Sequence, residues 1–154
     1  MSAEYSANAV QTIPPGGSFI FTETPSPCTR GFVRHRDGSG SFLLSGWTPR
    51  RSCGCRSKSA KYFVDFGANI AIPTGGTVEP ISVGIAIDGA VVPSTQMIVT
   101  PAAVEEYSNV SRATGLDIWS GCCETVTFVN TSTQDILAQN VNAVFDRPDL
   151  AVTY

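Results

Sequence analysis

The sequence predicts an all-β fold, a sandwich or barrel of about nine or ten short strands. Three observations predict it. Apolar and polar residues alternate over long stretches, which marks strands with one buried face. Turn formers punctuate the chain at short intervals, with 14 Gly and 10 Pro among 154 residues. Hydrophobic residues make up 42% and charged residues only 15%, too few Lys and Glu for the exposed faces of helices.

Taken in order, residues 1–16 read as an N-terminal arm or edge strand, because "PPGG" at Pro14 to Gly17 separates them from the first firm strand. Residues 17–154 read as one domain. "AVQTI", "SFIFTE", "GFVRHR", "SFLLSG" and "TQMIVT" are each about a strand long and bounded by Pro, Gly or Ser. The strongest strand is "KYFVDFGANIAIP", which puts Tyr62, Val64, Phe66, Ala68, Ile70 and Ile72 on one face. Thr74 to Gly76 make a turn. "EPISVGIAIDGAVVP" then directs Ile81, Val83, Ile85 and Ile87 to one side, and Asp88-Gly89 signals a hairpin. Gly84 and Ala86 make the other side flat enough to pack closely on a second chain. "TPAAVEEYSNVSR" reads as a short bend and then a strand, since Val104, Tyr107 and Val110 form too thin a stripe for a helix. "ETVTFVNTSTQDILAQNVNAVF" reads as a hairpin turned by "NTSTQD", with Val126 and Phe128 facing in from one strand and Val141, Ala143 and Phe145 from the other.

The net charge of −3 conceals segregation. Residues 30–61 hold eight of the ten Lys and Arg and one acid, +7, against −10 for the remainder. Such a segment can dock on an acidic neighbour, including another copy of the chain. Phe32, Phe42 and Tyr62 interleave with these cations, but they fall at alternating strand positions that suit a core. Trp47, between Gly46 and Pro49, is the loop aromatic, and nucleic acid is not expected as a partner. No apolar run is long enough to cross a membrane as a helix, and the N-terminus lacks a cationic-then-apolar leader.

Within the cationic segment, "RRSCGCRSKSA" (50–60) brackets Cys53 and Cys55 with Arg50, Arg51, Arg56 and Lys58. With Cys28, Cys122 and Cys123 the chain has five cysteines, an odd number. The spacing does not suit zinc, and adjacent Cys122 and Cys123 in a strand would point to opposite faces. Free thiols are the default, with disulfides from the Cys28–Cys55 region to Cys122 or Cys123 as the alternative under oxidising conditions. No metal, cofactor or catalytic residue is expected. The lone His35 stands in "HRDGSG", a turn that lacks the context of a phosphotransfer site. No "GxSxG" supports a hydrolytic triad. "NVS" at Asn109 and "NTS" at Asn130 read as polar strand-end chemistry.

"NIAIPTGGTVEPISVGIAIDGAVVPST", "YSNVSRATGLDIWSGCCETVTFVNTSTQDI" and "PCTRGFVRHRDGSGSFLLSG" resemble the small C1q/TNF-like jelly-roll proteins of phage and prophage structural genes, a likeness running from about Ala9 to Phe145. The resemblance implies an antiparallel jelly-roll sandwich, a homotrimer, and a capsid decoration or head-fibre role on the virion surface, bound to the major capsid protein or another virion protein and made in the host cytoplasm. It transfers no catalytic residues. The chain lacks the Gly-X-Y stalk of the related bacterial spore-surface proteins. Contact positions expected for the partner are Arg50, Arg51, Arg56 and Lys58 on their loop, Trp47 beside it, and the flat Gly84 and Ala86 face. The rival function is a receptor-binding module (a phage adhesin or bacterial surface or spore-coat protein) that stacks host-surface glycan on Trp47 and Tyr107.

Overall fold

Strict alternation over 13 residues makes Ser59–Ala71 the longest strand, and its partners organise the molecule. The computed structural model describes residues 1–49, 54, 58–121 and 123–150. Among the described residues twelve strands run in chain order: β1 Ser2–Ala7, β2 Gln11–Ile13, β3 Glu23–Ser26, β4 Val33–His35, β5 Phe42–Leu44, β6 Ser59–Ala71, β7 Ile81–Ile87, β8 Ala90–Val91, β9 Met97–Val99, β10 Ser108–Trp119, β11 Glu124–Asn130 and β12 Ile136–Asp146. One six-stranded sheet has the order β10-β6-β12-β1-β3, with β2 also on β12. The other has β4-β5-β11-β7-β8, with β9 also on β7. All pairings are antiparallel.

The core between the sheets is aromatic at its centre. Phe66 from the first sheet stacks on Phe128 from the second, with ring centroids 4.5 Å apart. Phe42 meets Phe145 at 4.8 Å and Tyr5 at 4.9 Å. Phe19 and Phe21 close the side, 5.3 Å from Phe66 and 5.0 Å from Phe42. Edge-to-face and offset rings of this kind add to what their burial alone contributes.

Several local expectations hold. Tyr62, Val64, Phe66, Ala68, Ile70 and Ile72 are all buried. Gly76 N–H donates to Pro73 O at 2.9 Å, and Gly75 supplies the positive φ of 89° that this turn requires. Asp88 (φ 49°) and Gly89 (φ 84°) form the two-residue turn joining β7 to β8, with Ile87 opposite Ala90. Residues 101–107 bend and β10 follows without a helix.

Four expectations are corrected. First, β11 and β12 do not form a hairpin. β11 lies between β5 and β7 in one sheet, and β12 between β6 and β1 in the other. Their inward residues still meet, Phe128 to Phe145 at 6.2 Å, but across the core. Asn130 makes this crossover. It is buried, its Nδ2 donates to Ile13 O and Gln134 O, both at 2.9 Å, and its Oδ1 accepts from Ser132 N–H at 2.8 Å. Its role is structural, as the polar strand-end reading expects.

Second, β1 in the N-terminal segment is no arm or sheet edge, whereas β2 of the same segment pairs with β12 alone. β1 lies inside its sheet between β12 and β3 and buries Ala3, Tyr5 and Ala7. Third, "SFIFTE" is a passage between sheets rather than a strand. Phe19 N–H donates to Phe128 O and Phe21 N–H to Ser39 O, while Gln11 bonds both backbone groups of Ile20. Fourth, the flat face at Gly84 and Ala86 is already covered within the subunit. Both residues are buried, and a Cβ on Gly84 would lie 3.0 Å from Val91 Cγ1 and 3.3 Å from Thr131 Cγ2. The segment after β8 folds back over β7, where Thr95 Oγ1 accepts from Ile85 N–H at 3.0 Å.

Candidate functional site

The start of β6 and the end of β12 bring together an ionic anchor at one end of the sandwich. Arg147 continues the inward parity of Val141, Ala143 and Phe145, so its guanidinium enters the protein and is fully buried. A buried charge must be paired and hydrogen-bonded. Asp149 answers it in bidentate fashion, with Nε to Oδ1 and Nη2 to Oδ2 both at 2.7 Å. Nη2 also donates to Trp47 O at 3.1 Å and Nη1 to the Tyr62 hydroxyl at 3.2 Å. The guanidinium lies over the Tyr62 ring, 4.7 Å from its centroid. Tyr62 Oη is 2.6 Å from Ser45 O and 2.9 Å from Phe32 O, which share its single proton.

These bonds shift the titrations. Burial opposes ionisation of Asp149, but the hydrogen bonds and charge of Arg147 outweigh it and hold the carboxyl below its usual value. Burial raises the Tyr62 phenol, with the hydrogen bond from Arg147 acting against it. Arg147 stays charged: burial opposes its cation, and Asp149 and Tyr62 more than restore it.

The anchor fixes the 45–49 loop from below and leaves the Trp47 side chain half exposed, at 53%. Two depressions flank this indole. One, of about 620 Å3, is lined by Arg30, Phe32, Trp47, Pro49, Arg147 and Asp149 among others. The second, of about 460 Å3, has Arg34, Leu43, Trp47 and Ser120 in its wall. They share Gly31, Ser45 and Trp47. A third, of about 380 Å3, continues from the second through Arg34 and Leu43 to Arg36, Ser41 and Thr125. Leu43 pairs with Arg34 of β4 on one side and Thr125 of β11 on the other, so this stretch crosses the outer surface of the second sheet.

Of the contact positions expected from sequence, Trp47 is at the centre of this groove. Lys58 is exposed at the foot of β6, where Ser120 N–H bonds its carbonyl. Arg50, Arg51 and Arg56 lie outside the described residues, as do Cys53, Cys55 and Cys122. Cys28 packs against the core and Cys123 is exposed. Tyr107 is not brought near Trp47. It precedes β10 at the Ile70 end of β6, whereas the Trp47 loop is held at the Tyr62 end, about 26 Å away by strand rise. Phe32, Phe42 and Tyr62 are core residues. His35 stacks on Phe42 at 4.3 Å, with its ring nitrogens 3.0 Å from Ser41 O and 3.2 Å from Phe21 O.

Sequence reasoning missed Arg147, Asp149 and the Tyr62 hydroxyl. A signal was available: in "AVFDRPDL" an arginine takes an inward position two residues before an aspartate. It also missed Trp119, which ends β10 and is 64% exposed.

No family model and no curated protein sequence matches the chain. Solved structures do. An Eiger TNF structure from S. frugiperda superposes with a TM-score of 0.63 at 10% identity, covering 100% of this chain and 96% of that one. Murine APRIL gives 0.58 at 9% identity over 96% and 99%. The globular domain of zebrafish complement 1qA gives 0.57 at 11% identity over 94% and 92%. Two facing antiparallel sheets, matched along nearly their whole length by these structures, make the fold a C1q/TNF-like jelly roll.

Proposed function

We propose that the chain is a non-enzymatic structural subunit that assembles as a homotrimer and decorates a phage virion, bound to the major capsid protein or a neighbouring virion protein. The observation that carries the self-association is the outer face of the first sheet. Phe63 on β6 is 56% exposed, and Trp119 on β10 stands nearby on the same face. The Lys61–Asp117 pair lies between them, and from Phe63 onward, away from Trp119, Gly67, Ser111, Ala113 and Gly115 make the surface flat on β6 and β10. Two of its carboxylates are paired, Asp117 with Lys61 at 2.7 Å and Asp146 with the N-terminal amine at 3.2 Å, while Glu4 accepts from Asn142 Nδ2 at 2.7 Å and Asp65 is exposed. A wide sheet, flat over β6 and β10 and with protruding aromatics, suits burial against copies of itself. The virion placement rests on the resemblance of the quoted segments to phage structural jelly rolls. Its test is antibody labelling and mass spectrometry of purified particles. Labelling on the capsid exterior is expected, and particles devoid of the protein contradict the placement.

A second reading, a receptor-binding module for host glycan, is favoured by Trp47. A half-exposed indole between two depressions, with its backbone locked by a buried ion pair, is a pre-formed stacking surface. Decoration and glycan binding use different faces, so one trimer can do both.

A further inference from the structure

We propose that the groove across the second sheet binds an acidic, carboxylate-bearing polysaccharide, with Arg30, Arg34 and Arg36 holding the carboxylates and Trp47 stacking a sugar ring. This rests on the carbohydrate reading of Trp47 and gives it a ligand class. The argument starts from charge. Arg30, Arg34 and Arg36 are exposed and have no ion-pair partner among the described residues. They lie in one continuous track, because the three depressions overlap at Gly31, Ser45 and Trp47, and then at Arg34 and Leu43. Unpaired cations of one sign along a groove are unusual in a chain of net charge −3.

The acids nearby do not neutralise them. Asp149 lines the track but is taken by Arg147 in two 2.7 Å bonds. Asp37, next in sequence to Arg36, is turned to Thr24 Oγ1 at 3.0 Å and makes no ion pair with Arg36. Guanidinium groups match carboxylates bidentately.

The walls favour a sugar over other polyanions. Ser41, Ser45, Ser120 and Thr125 supply hydroxyls that both donate and accept, as sugar hydroxyls require, and Ser39, whose proton goes to Arg36 O at 2.7 Å, supplies an acceptor. A single-stranded nucleic acid needs a series of stacking aromatics, and here Phe32, Phe42 and Tyr62 are buried, leaving one indole. An acidic protein segment would ask for deep apolar sockets for its anchors. The apolar members of this track are the partly covered Leu43, exposed Pro49 and buried residues that form its floor.

The test is biolayer interferometry of the full chain on immobilised polygalacturonate, hyaluronan and polysialic acid, with dextran as neutral control. Poly-glutamate and a single-stranded oligonucleotide are the competing polyanions. Binding to a carboxylated polysaccharide is expected, weakening with salt. An Arg34→Gln/Arg36→Gln double variant should weaken it by about tenfold or more, the size of one lost charge-assisted hydrogen bond, and Trp47→Ala, which removes the stacking ring, by about tenfold. Glu106→Gln, exposed at the opposite end of the sandwich ahead of β10, should leave it unchanged, and all variants should keep the parent melting temperature. Stronger binding to poly-glutamate or oligonucleotide, without dependence on Trp47, overturns the proposal. Binding to dextran that needs Trp47 but not the arginines overturns the acidic ligand and leaves the carbohydrate reading standing. No binding to any polysaccharide overturns both.

Discussion

Replacing Asp149 with alanine should destabilise the protein far more than its position near the C-terminal end suggests. Arg147 is fully buried, and two of its strongest bonds, both 2.7 Å, go to Asp149. Without the carboxylate, the charge keeps among the described residues only the Tyr62 hydroxyl at 3.2 Å, Trp47 O at 3.1 Å and the face of the Tyr62 ring. Breaking one side of a buried pair typically costs about 3–5 kcal/mol, because the other charge is left uncompensated. Asp149 retains 29% side-chain exposure, so some water reaches the site, and about 3 kcal/mol is the better figure. For a chain of this size that lowers Tm by about 6–12 °C. The assay is thermal and urea unfolding at fixed protomer concentration, since assembly makes Tm concentration-dependent. An Arg147→Met/Asp149→Ala double variant should recover most of the loss, as an apolar side chain in that space needs no partner. A loss below about 1 kcal/mol for Asp149→Ala, within the range of exposed pairs, would refute the reasoning. So would a double variant as unstable as the sum of the singles.

The same pair sets an acid limit. A carboxyl held below its unfolded value contributes stability above that value and loses it as pH falls through the lower folded one, so wild-type stability should drop on acidification below about pH 4 while Asp149→Asn lacks this component. Tyr5, whose phenol burial pushes up to about 12, should act in the opposite direction: its contribution is whole below pH 10.0 and lost as pH rises toward 12, and Tyr5→Phe should flatten the alkaline arm of the profile. Phe128→Ala removes the ring stacked on Phe66 and touching Phe21, Phe42 and Phe145, and should cost about 3–5 kcal/mol by urea denaturation. Gly84→Val, with a Cβ 3.0 Å from Val91, should cost about 1–3 kcal/mol by the same measurement and leave assembly intact, because that face belongs to the subunit's own fold.

Much of the fold was legible because a strand's buried face writes itself with a period of two, and β6 carries that pattern for 13 residues. Periodicity names the face of a strand and not its partner. The inward residues of β11 and β12 were therefore identified, while their assignment to opposite sheets was not. Gly84 and Ala86 show the same limit: a flat face was visible, but its cover, the Val91–Gln96 return, depends on how the chain turns after Gly89. The inner place of the N-terminal strand was hidden because "SAEYSA" has too few large apolar residues to declare a buried position, and its neighbours β12 and β3 supply the bonds. The candidate site was legible in part. The cationic segment and Trp47 stood out in sequence, but the anchor that holds them comes from Tyr62 and from Arg147, about a hundred residues beyond Trp47.

The central claim is that the outer face of the first sheet joins three copies of a C1q/TNF-like jelly roll. Light scattering coupled to size exclusion measures it directly. The wild-type chain should elute with three times the 16.3 kDa protomer mass, and Phe63→Glu, which plants a charge on that face, should shift it to the single protomer while retaining a cooperative melt. A wild-type chain that remains a single protomer at concentrations suited to assembly, or a Phe63→Glu variant that stays trimeric, would contradict the account.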